Sequence, residues 1–332
     1  MMPHVLVIGG GQNAEHQVSL ASAAAVAAAL RLSGHTVSTL TIDREGIWRA
    51  DGLPPCASPI ESLGLALPLI AEADVIFPAV HGSLGEDGAL AALAALVGVR
   101  IVGSDLHAGA IGMDKWATKL VADAVGIRTA RGRVISVEDI GDAEFECEVV
   151  VKPVSAGSSY GVSLVTKESE LLDALRTAAR FDRRILVEEV VRAREIDVAV
   201  LREAGGIRWA APPLEIHASG LFDTATKYDG SARFTVPAQL DSAESSALQR
   251  AAIGVFDALG CAGVARMDFF LTDDGPVLNE VNTMPGLTAA SQVPRMFAAA
   301  GVEYTDLVGR LVAGARVPGA VNSTYGFAGV GS

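Results

Sequence analysis

Lysine is scarce in this chain. Among 332 residues there are five, Lys115, Lys119, Lys152, Lys167 and Lys227, and the net charge is -13. Binding to nucleic acid rests on neutralising phosphates with many cations, so that class is excluded, while a single nucleotide needing a few fixed cations is not. Cysteine is scarce as well. Cys56, Cys147 and Cys261 form an odd set without metal-ligand spacing, which excludes a disulfide framework and suits a reducing compartment. A long apolar run is missing. The longest, over residues 89–99, is alanine-rich and about half of what a membrane span requires. The N-terminus lacks the basic region and apolar length of a signal peptide. These absences lead us to expect a soluble, cytoplasmic protein that uses neither nucleic acid nor membrane. What is present is apolar: hydrophobic content is 50% and mean hydropathy +0.37, enough chain and enough core for two or three domains.

Short β-branched runs alternate with helical stretches through the N-terminal third. Residues 5–8 end in Gly9, Gly10 and Gly11. An alanine-rich helix over 15–32 stops at Gly34, and 37–42 reads as a second strand. A third strand over 73–80 precedes a helix over 88–96. This alternation predicts a doubly wound parallel sheet covered on both faces. Ligands bind such sheets beyond the carboxyl ends of the strands, where loops 9–15 and 81–87 fall. From Asp105 onward the texture becomes α+β, with strands at 148–152, 184–188, 196–200 and 209–210. Residues 216–237, rich in Gly, Ser, Thr and Asp without periodicity, read as a long loop serving as a lid. Helices return at 242–259 and 291–300, and 317–332 reads as a frayed tail. The expected units are 1–104, 105–187, 188–316 and the tail 317–332.

The densest chemistry lies near the C-terminal end. Glu280 and Asn282 are two apart in a β-like run, so both side chains leave one face. Asp268 sits on the preceding run, across the 272–275 turn, where strand pairing would bring it alongside. Two carboxylates and an amide oxygen suit Mg2+, an ion that shares its shell with nucleotide phosphates. A solvated acidic hairpin is the competing reading. Lys152 ends a strand and opens a glycine/serine loop over 153–161, whose amides and hydroxyls could close over phosphates beside a fixed ammonium. A plain turn is the alternative there, and the G-x-x-x-x-G-K-S/T pattern is not matched. Gly9 to Ala14 fits the loose G-x-G-x-x-A pattern of dinucleotide loops. Asp43 lies too far along to be its ribose acid, and Glu15 would repel a pyrophosphate. A carboxylate there better receives an ammonium group. His81 stands in a glycine-framed loop as a surface residue or a ligand contact, and Asp87-Gly88 could merely start the next helix.

Eight blocks, GGGQNAEHQVSL, HGSLGEDG, MDKWATK, VKPVSAGSSYG, LVEEVVRAREIDVAV, TKYDG, ARMDFF and NEVNTMPGLTAAS, stand in an order and spacing that resembles the D-alanine–D-alanine ligases of the ATP-grasp superfamily. The resemblance covers nearly the whole chain. It implies an N-terminal pre-ATP-grasp domain followed by a two-lobed α+β ATP-grasp fold. It also implies ATP and D-alanine as substrates, two Mg2+ or Mn2+ ions, and a homodimer in peptidoglycan precursor synthesis. In that family the first D-alanine becomes an acyl phosphate, which the amine of the second attacks.

Residue roles follow from the same resemblance. Glu15 would hold the first substrate's ammonium, with His81 near its carboxylate. Lys115, Lys152 and Lys227 would bind phosphates, together with Ser158 and Ser159 of the loop. Glu188 and Glu195 would contact adenine and ribose. Asp268, Glu280 and Asn282 would carry the metals. Arg266 and the Gly286 amide would stabilise the oxyanion, and Ser291 would bind the second substrate's carboxylate. Ser158 and Tyr228 would join Glu15 in a hydrogen-bonded set, and Tyr228 goes with a dipeptide product in preference to a depsipeptide.

Three positions depart from the family's pattern: Ala91-Ala92-Leu93 replaces a Gln-Gly pair, Asn13 a serine and Ala193 a glycine. None touches an expected metal or phosphate position. Two other functions compete: a different ATP-grasp carboxylate–amine ligase, such as one making D-alanyl-D-lactate or D-alanyl-D-serine, and a nucleotide-binding regulator without catalysis.

Overall fold

The computed structural model describes residues 2–217 and 233–319. Three sheets organise it. The first has the order β3-β2-β1-β4-β5, from β1 (His4–Gly10), β2 (Thr36–Ile42), β3 (Trp48–Arg49), β4 (Val75–Pro78) and β5 (Arg100–Ile101). Strands β2, β1, β4 and β5 run parallel, and only the edge strand β3 is antiparallel. Strand β1 is buried on both faces because helices cover both. Leu6 and Ile8 pack on one side with Ala66 and Ile70 of α2 (Pro59–Glu72) and Leu90 and Ala94 of α3 (Ala89–Val97). Val5 and Val7 pack on the other with Val26 and Leu30 of α1 (His16–Leu32).

Helices α4 (Leu106–Met113) and α5 (Lys115–Ala124) lead into the second sheet, antiparallel, in the order β6-β9-β7-β8. Its strands are β6 (Gly132–Ser136), β7 (Val149–Pro153), β8 (Ser163–Val165) and β9 (Arg184–Glu189), backed by α6 (Glu168–Ala178). Strand β9 spans the 187/188 boundary expected from the sequence. The third sheet has the order β13-β12-β10-β14-β15, with β11 on β10. Here β10 is Arg194–Arg202, β11 Arg208–Ala210, β12 Leu214–His217, β13 Arg233–Thr235, β14 Val264–Thr272 and β15 Gly275–Asn282.

Over Glu195–Val198 and Ala265–Phe269 apolar and polar residues alternate, so the sheet there has a dry face and a cleft face, while farther along Ala199, Leu201 and Val264 join the core that holds Val5 and Val7. Ile196, Val198, Met267 and Phe269 face α7 (Ser242–Ala258), meeting Leu248, Ala252, Val255 and Phe256. The chain then closes on itself. After α8 (Gln292–Ala299), helix α9 (Tyr304–Ala313) packs Leu307, Val308 and Leu311 into the core that holds Val5 and Val7. An Arg316–Ile101 bridge follows.

One sequence expectation is corrected. Residues 216–237 are not a loop at their ends, because β12 and β13 pair through Glu215–Thr235, Ile216–Phe234 and His217–Arg233. Three or four residues give too short an alternation to register as a strand. Lys227 and Tyr228 lie outside the described residues, as does most of the expected tail.

Candidate active site

The cleft face of the third sheet collects the polar residues. Strand register sets Asp197 beside Asp268 and Asp268 beside Glu280, with Arg266 opposite Asn282. A bulge follows Asp268, which pairs with Glu280 while Phe269 pairs with Leu278. The extra residue, Asn279, is thereby turned toward the second sheet, where its Oδ1 accepts from Lys152 Nζ at 3.1 Å. A cavity of 380 Å³ lies between the two sheets. It is lined by Lys115, Lys152, Ser159, Glu188, Glu195, Asp197, Arg266, Asp268 and Glu280. Eight of these nine are residues singled out from the sequence.

The cations are held on carboxylates. Lys115 Nζ donates to the Ala156 carbonyl at 2.6 Å and lies 3.3 Å from Glu280 Oε2. Lys152 pairs with Glu188 Oε1, and Lys119, only 2% exposed, takes Glu188 Oε2 at 2.8 Å and the Ala130 carbonyl at 3.1 Å. Burial pushes the Glu188 carboxyl up, but the two ammonium groups outweigh it and hold it below its ordinary value. Burial pulls Lys119 down from its ordinary value against the attraction of Glu188. Two lysines on one carboxylate leave a surplus positive charge under the cleft, suited to an anion. Arg266 donates through Nε and Nη2 to both Asp268 oxygens, at 2.6 and 2.7 Å, and Asn282 Nδ2 donates to Asp268 Oδ2 at 3.1 Å. Against the cost of burial, Asp268 and Asp197 keep the Arg266 guanidinium charged well above the usual range.

Beside the cavity lies a second group. Ser158 Oγ donates to Glu15 Oε1 across the junction between the first two sheets. Ser158 and Ser159 adopt φ of +51° and +57°, conformations costly for non-glycine residues and common at ligand clamps. Gly82 and Gly157 let the loops close on Glu15, since a Cβ would stand 2.7 and 3.0 Å from its Oε2. Asn13, one of the departures from the family pattern, is the tie here. Its amide donates to the carbonyls of His81 and Ser83, and its oxygen accepts from the Glu15 amide. His81 is 3% exposed, and both its ring nitrogens are engaged by the protein. Nδ1 lies 2.8 Å from the Met284 carbonyl and Nε2 2.8 Å from Ser22 Oγ. A carbonyl only accepts, so Nδ1 carries the proton and Nε2 receives one from Ser22. Burial lowers its pKa, keeping the ring neutral. His81 thus pins the 284–287 turn from below. That turn brings Gly286 to Ser291, whose Oγ lies 3.1 Å from where a Gly286 Cβ would be. Asp87 caps the loop, accepting from the Leu84 and Ala89 amides.

Sequence reasoning missed Lys119, Asp197, Asn279 and Gln292. Asp197 carried a signal: in Glu-Ile-Asp-Val its carboxylate is two residues from Glu195 and shares its face. Gln292 and Lys119 carried none, because their partners lie far along the chain.

A parallel-sheet unit joined to two antiparallel sheets that clasp a cation-lined cleft defines an ATP-dependent ligase of the ATP-grasp type. Residues 4–61 match the family model for the D-ala D-ala ligase N-terminus, and 133–313 that for the C-terminus. The D-alanine–D-alanine ligase of Corynebacterium urealyticum is 38% identical, over 94% of this chain and 97% of its own. The Mycobacterium tuberculosis enzyme of the same name is 36% identical, over 93% and 94%. Among solved structures, the VanG D-Ala:D-Ser ligase from Enterococcus faecalis superposes with TM-score 0.80 at 28% identity, covering 95% of this chain and 99% of that one. The D-alanine–D-alanine ligase of Coxiella burnetii gives 0.77 at 30%, covering 94% and 93%. The chain belongs to the D-alanine–D-alanine ligase family.

Proposed function

We propose that this protein joins two D-alanine molecules into D-alanyl-D-alanine for peptidoglycan precursors, cleaving ATP to ADP and phosphate through an acyl phosphate. The observation that carries the reading is the convergence of Lys115, Lys152, Arg266, Asp268 and Glu280 on one cleft, from three separate stretches of chain. Lys115 and Lys152 contact the nucleotide phosphates, with Lys227 joining them, and Ser158 and Ser159 offer hydroxyls and amides from the loop. Glu195 meets the ribose. Glu188 lies under the adenine, with its charge already shared by two lysines.

Among the described residues no three His, Cys, Asp or Glu side chains cluster as a self-sufficient metal site. Two adjacent carboxylates and an amide are nevertheless the donor set for Mg2+ or Mn2+ that completes its shell with phosphate oxygens, so the residues fit the ion. Asp268, Glu280 and Asn282 would hold it, where it would screen the charge of the transferring phosphoryl group. Glu15, with Ser158 and Tyr228, receives the donor's ammonium. Ser291 heads α8 with its hydroxyl engaged by the Thr288 amide and hydroxyl and not by the helix's own amides, so the acceptor's carboxylate meets Ser291 at a helix N-terminus. Arg266 and the Gly286 amide stabilise the oxyanion as the acceptor amine attacks. The units 1–104, 105–187 and 188–316 then act as donor platform, phosphate lobe and metal lobe.

Purified protein offered ATP, Mg2+ and a panel of D-alanine, D-serine, D-lactate and L-alanine should release phosphate with D-alanine and make predominantly D-alanyl-D-alanine. A predominant ester or mixed D-alanyl-D-serine product would overturn the assignment. Glu280→Ala should lower turnover by about a thousandfold or more, as expected for loss of a group acting on transition-state charge. Turnover like that of the parent would refute the metal assignment.

A further inference from the structure

Arg266 is gripped from two directions, and only one involves Asp268. A guanidinium has five N–H donors. Three are committed: Nε and Nη2 to Asp268, and Nη1 to Gln292 Oε1 at 2.7 Å. The Gln292 amide nitrogen in turn donates to Asp197 Oδ2 at 2.9 Å, and that same oxygen lies 3.4 Å from Arg266 Nε. The result is a closed ring of Arg266, Gln292 and Asp197, with the Asp197 side chain 2% exposed. The ring dictates the amide's orientation, since its oxygen must face the guanidinium and its nitrogen the carboxylate. Among the described residues two guanidinium donors remain uncommitted, the number a carboxylate or oxyanion can use.

We propose that Asp197 and Gln292 are positioning residues that brace Arg266 and tie it to the start of α8. This rests on the reading of Arg266 and Ser291 as acceptor-side contacts. Asp268 holds one edge of the guanidinium, and a pair gripped on a single edge can swing with the side chain that holds it. The bracket on Nη1 stops that swing. Gln292 directly follows Ser291, so one residue sets the separation between the group that steadies the oxyanion and the group that binds the acceptor carboxylate. Misplacement by about 1 Å in such an arrangement costs on the order of a hundredfold in rate.

The test is the ratio of phosphate released to dipeptide formed, together with the acceptor and ATP dependences of the rate. In Gln292→Leu the acyl phosphate still forms, but the acceptor meets a displaced Arg266. The acceptor D-alanine needed for half-maximal rate should rise about tenfold, and the ratio should exceed one as activated donor is lost to water. The ATP dependence should be unchanged. A residue of merely structural importance would lower phosphate and dipeptide together. Gln292→Glu sets two carboxylates against each other and should be worse. Adding Asp197→Asn restores the ring: the amide introduced at 197 donates to the carboxylate introduced at 292, and Arg266 still donates to that carboxylate. The double variant should recover most of the loss, which is the coupling a double-mutant cycle measures.

A ratio of one with unchanged acceptor dependence in Gln292→Leu would overturn the proposal. So would a double variant no better than Gln292→Glu, and that comparison decides the matter even if Gln292→Leu does not fold. An Arg266→Lys enzyme with full turnover would instead sink the functional reading, whereas an inactive Arg266→Lys beside a parent-like Gln292→Leu would sink the bracket alone.

Discussion

Glu86 is a carboxyl group in a place water scarcely reaches, 9% exposed beside Thr283 and Met284. Burial first, then the nearby charges of Glu15 and Glu280, push its pKa up to about 8, against the Gly82 amide and Arg266. The folded chain therefore keeps a proton that the unfolded chain releases above about 4.5. That contribution to stability is fully present below the unfolded value and is lost as pH rises toward the folded one. Glu86→Gln, permanently neutral, should match the parent near pH 4 and exceed it near pH 8, in chemical denaturation without nucleotide or metal. An equal gap at both pH values would contradict this. Residues of this kind were half legible in the sequence. Glu86 lay in plain view within the HGSLGEDG block, but its protonation depends on Glu15 and Glu280, which only folding brings near. The same holds for Lys119, whose partners Glu188 and Ala130 belong to other elements.

Helix α7 shows what an element owes to its own residues. Asp241 accepts from the Ala243 and Glu244 amides, while Glu244 returns a bond to the Asp241 amide, a reciprocal cap that satisfies N–H groups the helix itself cannot pair. Asp241→Ala should cost about 1 kcal/mol of stability while leaving the activity of the folded enzyme intact, measured by urea unfolding and by rate per folded molecule. Loss of activity without loss of stability would contradict it. Helix α7 and the strands β1, β2, β7, β9 and β10 were legible because period and caps are local properties, whereas β6, α2 and α6 were not picked out. The pair β12 and β13 was not, since β13 is held by its pairing with β12 and β12 by its pairing with β13 and β10. Nor was the bulge after Asp268. It arises from the pairing of two strands, and it is what turns Asn279 to Lys152.

At the scale of the molecule, the first and last parts of the chain share one core. Val26, Ala27, Ala29 and Leu30 of α1 share a core with Leu307 and Leu311 of α9, whereas Ala21, Ala24 and Ala28 of the same helix stay exposed. Among the described residues the most exposed large apolar side chains are Leu96 on α3, 86% exposed, Leu32 on α1, 83%, and Ile60 on α2, 78%. The homodimer reading predicts that light scattering gives twice the chain mass and that Leu96→Glu shifts it toward one. A parent protein at one chain mass would refute it.

The strand–helix alternation of the first sheet, the family and most of the chemical groups lining the cleft were determined by the sequence alone, because periodicity, turn chemistry and motif spacing act over a few neighbouring residues. Which carboxylate neutralises which cation, and how Arg266 is aimed, was decided only in three dimensions. Pairing energies depend on distance and burial, and Lys152 meets Asn279, as Gln292 meets Asp197, only after separate sheets and helices have closed around the same cleft.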